Sequence, residues 1–461
     1  MKTLERPARL TLPTLPVGSV GPLRLANSAS VLSRRTCVAG CAALLGILGL
    51  NCAAADFSLS GFGTLGYARS DRSYAYQRFI DDKGTLRRDS VAGLQLDAKL
   101  TDQIGATVQV KAAPDTNNDA RYEASVSWAF VSWRPTDDLL LRAGKQRLPL
   151  YLHSQNYDVG VTYDFARLPT EMYSISPSND FTGVSASKSW DVDGNELVLD
   201  SYFGRSEADV RFWLRDGSPP SFTPDAFFRR IQISGGGAVI SYKTKFDTYR
   251  AGFGRVTVRE SHSPSSYPVT YPFVSLAPNY GYFQVDPALP GPGIPSIESY
   301  GYKVFTLGAD VAIGNGFRIT SEYARSLVSK TNFSTQSSRG YVSLLRRIDQ
   351  WTPYVAYAFL HSEKGVLDLR DAVNSNVVPN FVPGAARINA SQRAGADSFL
   401  VFDQSSWALG ASYSISATSS LKAEVMRTHI GRVSSLVDAP PGSNIRNQHI
   451  NVLSVSYSFV F

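Results

Sequence analysis

The sequence predicts an all-β protein, a transmembrane antiparallel β-barrel of about 16 strands. Three observations support this fold class. Short segments alternate between apolar and polar residues, tight turns and long polar loops follow one another along the chain, and the final segment is an aromatic strand. Successive side chains of a strand point to opposite faces, so such segments can place one face against lipid and the other against water.

The final segment, residues 448–461, has the clearest alternation. A membrane barrel needs a strand of this kind to pair with its first strand, because lipid does not tolerate an open sheet edge. The alternative is the last strand of a soluble β-sandwich, which the rest of the sequence makes less favourable. The apolar face carries Leu453, Val455, Tyr457, Phe459 and Phe461, and the opposite face carries Ser454, Ser456 and Ser458.

Residues 1–55 are predicted to be an N-terminal extension and secretory signal peptide. Arg34 and Arg35 precede an apolar run over 38–50 and the small residues 53–55. This order predicts cleavage after Ala55, and the apolar run is too short to span a bilayer as a helix. The barrel domain is therefore expected to cover residues 56–461.

Removal of this segment changes the charge and the cysteine count. Residues 1–55 contain six Lys or Arg and one Glu, so 40 basic and 38 acidic residues remain. The near-neutral balance gives no indication of a nucleic-acid partner. All three cysteines, Cys37, Cys41 and Cys52, also leave, which excludes a disulfide framework, a cysteine metal site and a cysteine nucleophile.

Residues 56–461 contain no convincing stretch with the period of a helix, and their alternation predicts about 16 strands, with 18 as the alternative count. Long loops are expected near 206–234, 260–299 and 362–402, and prolines crowd the second of these. The strands are expected over 57–67, 91–100, 106–112, 124–130 and 139–146, and near 181–190, 196–205, 236–244, 248–259, 300–313, 317–326, 339–348, 352–361, 403–416, 420–430 and 448–461.

The first strand contains G-x-G-x-x-G at Gly61, Gly63 and Gly66. A dinucleotide site would need a following helix and an acidic residue about twenty positions on, and neither is predicted. We interpret these glycines as relieving crowding in a curved strand.

The alternation also assigns residues to the two faces of the barrel. In the fourth strand, one predicted lipid-facing set is Ala124, Val126, Trp128 and Phe130, opposite Glu123, Ser125 and Ser127. The inward face carries too many charges for a dry core, so we expect water inside, and a barrel of about 16 strands is wide enough to hold an aqueous channel. These inward charges are Arg142, Lys243, Arg318, Glu322, Lys422 and Glu424.

With these features the chain resembles Gram-negative outer-membrane porins, through its signal, the opening FSLSGFGTLGY strand, the turn and loop pattern, and the strand ending at Phe461. The segment 144–173 is similar to the stretch after the fifth strand of several such porins. The resemblance implies short periplasmic turns, long external loops, and a third loop, about 147–180, folded into the lumen. It further implies passive diffusion of small hydrophilic solutes, a homotrimer, no cofactor, contact with outer-membrane lipid and lipopolysaccharide, and delivery to the barrel-assembly machinery through the last strand.

A pore constriction selects solutes by its diameter and by opposed charges. We expect acidic residues on the third loop to face basic residues on the wall, which would set a transverse field. The alternative is that these charges only fix the loop through salt bridges or lie in solvent. The predicted loop residues are Asp158, Asp164, Arg167 and Glu171, and the predicted wall residues are Lys111, Arg142, Gln109 and Gln95.

Other functions remain as alternatives. An outer-membrane enzyme is disfavoured, because the five histidines are scattered and no G-x-S-x-G motif occurs. A channel selective for anions or phosphate, organic acids or sugars is the stronger alternative. Arg142, Arg250 and Arg318 are compatible with selectivity for anions. A receptor with about 22 strands and a plug would need more chain.

Overall fold

The computed structural model describes residues 56–176, 178–217, 223–261 and 267–461. The predicted signal segment and its cleavage site after Ala55 lie outside the described residues.

Sixteen antiparallel strands form one closed barrel, and their order around the ring follows the chain. The ring closes between β1 and β16, from the Phe62–Val460 pair to the Ser70–Val452 pair. The predicted fold class is therefore confirmed. The barrel strands are β1 Asp56–Ser70, β2 Val91–Lys99, β3 Ile104–Pro114, β4 Tyr122–Thr136, β5 Leu139–Arg147, β6 Asp180–Val192, β7 Asn195–Leu214, β8 Asp225–Lys243, β9 Thr248–Glu260, β10 Ser299–Gly314, β11 Phe317–Val328, β12 Ser337–Arg346, β13 Trp351–Ser362, β14 Phe402–Ser416, β15 Ser419–Ser434 and β16 Gln448–Val460.

The two rims of the barrel differ in the length of their connections. On one rim, which we call the turn rim, consecutive strands are joined by two to four residues. On the other, which we call the loop rim, every connection has seven residues or more. The predicted asymmetry is thus present in the barrel. The loops are L1 71–90, L2 115–121, L3 148–179, L4 215–224, L5 261–298, L6 329–336, L7 363–401 and L8 435–447.

The outer surface of the barrel is apolar, as the alternation predicts. On β16, Leu453 is 47% exposed whereas the adjacent Ser454 is 3% exposed. The same parity recurs on the neighbouring strands, where Val425 and Leu65 are also exposed. A continuous exposed apolar band around a closed sheet is the surface that hydrocarbon requires.

The glycines of β1 make room for the last aromatic residues. A Cβ atom on Gly61 would lie 2.4 Å from Cζ of Phe461, and one on Gly63 would lie 2.7 Å from Cζ of Phe459. Both rings therefore occupy the space that a side chain on β1 would need, across the junction between β1 and β16. This close approach explains the glycines at positions 61 and 63, whereas a Cβ atom on Gly66 would lie 2.5 Å from Cβ of Asp89 in L1.

The assignment of faces in the second half of β4 was wrong. A β-bulge at Ser127 shifts the register, so that Trp128 pairs with Gln109 and Phe130 pairs with Thr107. Directly paired residues share a face, so Trp128 and Phe130 point inward. One extra residue reverses the parity of everything that follows it, which simple alternation cannot anticipate.

The predicted loop over 206–234 is mostly strand, and this prediction was also wrong. The β7–β8 hairpin continues to the Leu214–Asp225 pair, well beyond the predicted strand ends. Asp209 and Arg230 form an ion pair across it, with Nε 3.1 Å from Oδ1. We attribute the missing alternation to this part of the hairpin extending beyond the lipid, where neither face must be apolar.

The loop rim contains helices that the sequence did not predict. L7 forms α2, Lys364–Ser375, and α3, Ala385–Asp397. These helices are short, and α3 buries polar residues such as Asn389 and Gln392, which hydrogen-bond to other loop residues. The apolar periodicity of α3 is therefore weak, whereas α2 buries Val366, Leu367 and Val373 along one face at helical spacing. In the described part of the chain, no helix is long and apolar enough to cross a membrane.

Candidate functional site

L3 leaves the loop rim and lies inside the barrel. Its helix α1, Thr170–Tyr173, contacts β11, β12 and β13, and its 3₁₀ turn, Gly160–Thr162, contacts β16. L3 starts at the end of β5, so these contacts carry it across the lumen to the opposite wall. The predicted insertion of the third loop is confirmed.

One side of L3 is held by apolar packing. The ring of Phe165 lies edge-on to Tyr354, with centroids 5.1 Å apart, and edge-on to Tyr341 at 6.2 Å. Leu168 and Met172 are buried in the same cluster. L3 is therefore a packed element of the barrel wall on this side.

Three of the predicted inward charges lie under L3, and the expectation that water surrounds them was wrong. Glu322 is almost fully buried. Its Oε1 accepts a hydrogen bond from the Leu152 amide at 2.7 Å, and its Oε2 accepts one from Tyr341 Oη at 3.0 Å and one from Tyr173. The loop thus supplies partners that offset the cost of burying the charge.

Lys422 and Glu424 on β15 are satisfied in the same way. The Lys422 ammonium donates to the carbonyl oxygens of Gly160, Tyr163 and Phe165, the last at 3.1 Å. Glu424 accepts a hydrogen bond from Tyr354 Oη at 2.8 Å. Lys422 therefore depends on backbone oxygens that the folded loop brings near, whereas the partner of Glu424 lies on β13 of the barrel wall.

The remaining inward charges are not covered by the loop. Lys243 and Arg318 lie near the turn rim, where they pair with Glu196 at 3.1 Å and Asp310 at 2.9 Å. These pairs are partly solvent-exposed and contribute little to stability.

Gly160 allows L3 to approach the wall closely. A Cβ atom at this position would lie 2.3 Å from Ser458 Oγ and 2.6 Å from Thr64 Oγ1. Those two hydroxyl groups are 3.0 Å apart and bridge β1 to β16. A larger residue would push L3 away from the barrel seam.

The other side of L3 borders a cavity of about 550 Å³. The cavity extends from L3 to L1 and L8, and the inner faces of β6 to β10 form one of its walls. Lys111, Asp158 and Arg167 line it, so three of the eight predicted constriction residues face the same space.

Asp158 is the acidic residue of L3 that pairs with basic residues of the wall. Lys111 Nζ lies 3.1 Å from its Oδ2, and the Arg147 guanidinium pairs with the same carboxylate. Arg147 also reaches Asp180 at 2.9 Å. Asp158 therefore lies between two cations, of which Lys111 borders the cavity.

Arg167 connects L3 to L1. Its Nε donates to Asp89 Oδ1 at 2.8 Å, and a second nitrogen reaches the other oxygen, which gives a bidentate pair. Burial opposes the charged form of Asp89, but the adjacent Arg167 outweighs burial and holds the pKa of that carboxyl below its usual range. Asp89 was not among the predicted site residues, because no local pattern relates two residues on different loops.

Glu171 and Asp164 lie elsewhere on the loop. Glu171 is fully buried between L3 and the wall, where Gln404 donates to its Oε1 at 2.8 Å. Asp164 is half-buried, and neither residue is among those that line the cavity. Burial raises the pKa of both carboxyl groups.

Among the residues that the structure describes, the remaining predicted wall residues interact with other residues of the wall and not with L3. Gln109 donates to Gln95 Oε1 at 2.8 Å, and Gln95 in turn donates to Asp97. The guanidinium carbon of Arg142 lies 5.4 Å from the centre of the Phe130 ring. Whether any of these residues lies at the narrowest point of a pore stays a prediction.

A closed ring of 16 antiparallel strands, an apolar exterior and an inserted third loop define a porin-like transmembrane β-barrel. No family model matches the sequence, and no curated protein matches it either.

Several solved structures match this chain over most of its length. A loop L8 deletion mutant of Vibrio cholerae OmpT has a TM-score of 0.49 and 12% identity, covering 88% of this chain and 100% of that one. The anion-selective porin from Comamonas acidovorans has a TM-score of 0.47 and 10% identity, covering 88% and 100%. Salmonella typhi OmpF in complex with daunomycin has a TM-score of 0.46 and 12% identity, covering 87% and 97%. At these identities the similarity concerns the fold alone.

Proposed function

We propose that this protein is an outer-membrane porin that lets small hydrophilic solutes and ions diffuse passively through a water-filled channel. The observation that carries the proposal is the charged cavity beside L3, enclosed by a barrel whose outside is apolar. Transport of this kind needs no cofactor and no catalytic step.

Single-channel recording in planar lipid bilayers tests the proposal. Purified protein is expected to give stable conductance steps in potassium chloride. Folded protein that inserts into the bilayer and gives no conductance steps would overturn the proposal. Reversal potentials in a salt gradient give the ion selectivity. Liposome swelling with sugars of increasing size gives the diameter that solutes can pass.

A second candidate function is a channel selective for anions. Seven Lys or Arg residues line the cavity but only three Asp residues do, so the lining carries a surplus of positive charge. Fixed charge at a narrow passage favours counter-ions. A reversal potential close to that of chloride would favour this candidate over unselective diffusion.

The predicted targeting, partners and assembly belong to the same proposal. The signal ending at Ala55 would send the chain across the inner membrane, the turn rim would face the periplasm, and the loop rim would face outward near lipopolysaccharide. The last strand, ending at Phe461, would be read by the barrel-assembly machinery. We also propose a homotrimer, which light scattering and chemical cross-linking of detergent-solubilised protein would test.

A further inference from the structure

The cavity has one wall that a simple aqueous pore does not require. Inner faces of water-filled barrels are generally polar. Here the inner faces of three consecutive strands are apolar where they border the cavity, and we call this surface the apolar wall. It consists of Ile231 and Ile233 on β8, Val256 and Val258 on β9, and Tyr302 and Val304 on β10.

Packing inside the barrel accounts for only part of this wall. Tyr267 of L5 covers its end nearest the loop rim, where the Tyr267 and Tyr300 rings lie 4.9 Å apart at right angles. Ile233, Val256 and Tyr302 are only partly buried and border the open cavity. Apolar surface left open in this way generally marks a binding site.

Glycine residues deepen the same side of the cavity. Gly235 and Gly254, on neighbouring strands of the wall, both border the cavity. A Cβ atom at Gly254 would lie 3.0 Å from Tyr202 Oη and 3.1 Å from Val304 Cγ1. The Tyr202 hydroxyl therefore lies over glycine backbone, and Val304 borders the recess beside it.

Positive charge lies across the cavity from the apolar wall. Lys111 and Arg167 are paired with Asp158 and Asp89, as described above. Arg88 of L1 is different, because its guanidinium donates to Ser174 Oγ at 3.0 Å and no carboxylate lies within salt-bridge distance among the described residues. It is therefore a cation with unused donors that borders the cavity.

We propose that the cavity binds and passes amphipathic organic anions, with the carboxylate toward Arg88 and an aromatic or branched aliphatic body on the apolar wall. This inference rests on the proposed channel function and names its preferred solutes. A small inorganic anion would use only the cation, and a sugar would leave the apolar wall without a partner. An aromatic carboxylate uses both surfaces.

Block of chloride current through single channels tests the proposal, with phenylacetate, acetate and benzyl alcohol as probes. Phenylacetate is expected to reduce the current at concentrations at least threefold lower than acetate or benzyl alcohol. In the double variant Ile233→Thr/Val256→Thr the half-blocking concentration of phenylacetate should rise at least threefold, with acetate unchanged. In Arg88→Gln it should also rise at least threefold.

Val425→Thr is the matched control, because it makes the same kind of change on the exposed outer face. This variant should leave the half-blocking concentration of phenylacetate unchanged. Heat-modifiable mobility on gels checks that the barrel of each variant is folded. If the double variant does not fold, the near-isosteric single variant Val256→Thr replaces it. Equal block by phenylacetate and acetate in a conducting wild-type channel would overturn the inference, whereas no conductance at all would overturn the proposed function.

Discussion

Arg167 and Asp89 form a bidentate ion pair, with Nε 2.8 Å from Oδ1, that joins the loop inside the barrel to the first loop of the rim. Both side chains are largely buried, and Arg167 also donates to Ser454 Oγ at 3.2 Å. L3 is therefore fixed on its cavity side by charge and on its other side by aromatic packing. This double attachment makes the position of L3 a property of the fold.

Replacement of Arg167 by Gln should destabilise the barrel, because it leaves the Asp89 carboxylate buried without its partner. We expect a loss of about 3–5 kcal/mol in the free energy of unfolding, measured by urea titration of the barrel in lipid. Adding Asp89→Asn should restore part of the loss. Lys188→Gln is the control, since the Lys188–Asp138 pair is solvent-exposed and its loss should change the stability far less. Equal losses in the two single variants would contradict this role of Arg167.

Asp158 is predicted to control ion selectivity. Asp158→Asn removes the one negative charge between Lys111 and Arg147, so the reversal potential in a salt gradient should move toward the value for anions. Glu171→Gln is a matched neutralisation on the same loop, at a residue that is fully buried away from the cavity, and should cause no shift. A shift in Glu171→Gln but not in Asp158→Asn would show that ions pass on the other side of L3.

His153 should make the packing of L3 sensitive to acid. Burial lowers the pKa of this histidine from its usual 6.5 to about 4; Asp310 acts against this change, while Lys422 and Arg250 add to it. When the pKa of a base is lower in the folded protein than in the unfolded chain, the protein becomes less stable as the pH falls between these two pKa values. In that pH range only the unfolded chain takes up the proton. The wild-type protein should therefore lose about 3 kcal/mol more than His153→Asn between pH 7 and pH 4.

Asp164 and Glu171 contribute to the acid response with the opposite sign. Their raised pKa values make the packed loop bind protons more tightly than the unfolded chain, so their contribution to stability grows as the pH falls. Both residues are present in wild type and in His153→Asn, and their effect cancels in the comparison. Identical pH curves for the two proteins would rule out His153 as the source.

Phe461 should matter for assembly of the barrel. Its ring covers Gly61 at the seam between β1 and β16, so Phe461→Ala removes apolar contact where the ring closes. We expect a lower fraction of heat-modifiable, membrane-inserted protein in cells, with total synthesis unchanged. Phe246→Ala removes an equally exposed phenylalanine from the turn rim and serves as the control. Equal insertion of both variants would contradict the prediction.

The sequence by itself determined the barrel. Alternation between lipid-facing and inward-facing residues is a local property with a period of two, so it can be read directly in strands such as β16. The spacing of these strands also predicted the approximate number of strands and the short and long rims. Each of these features depends on residues that are close together in the chain.

The tertiary structure decided what lies inside the barrel. The bulge at Ser127 turned Trp128 inward, and L3 covered Glu322 and Lys422, which alternation assigned to water. The pairing of Arg167 with Asp89 joins residues far apart in sequence. A lumen is filled by segments that meet only after the ring has closed, and for this reason no local pattern could place the cavity or its apolar wall.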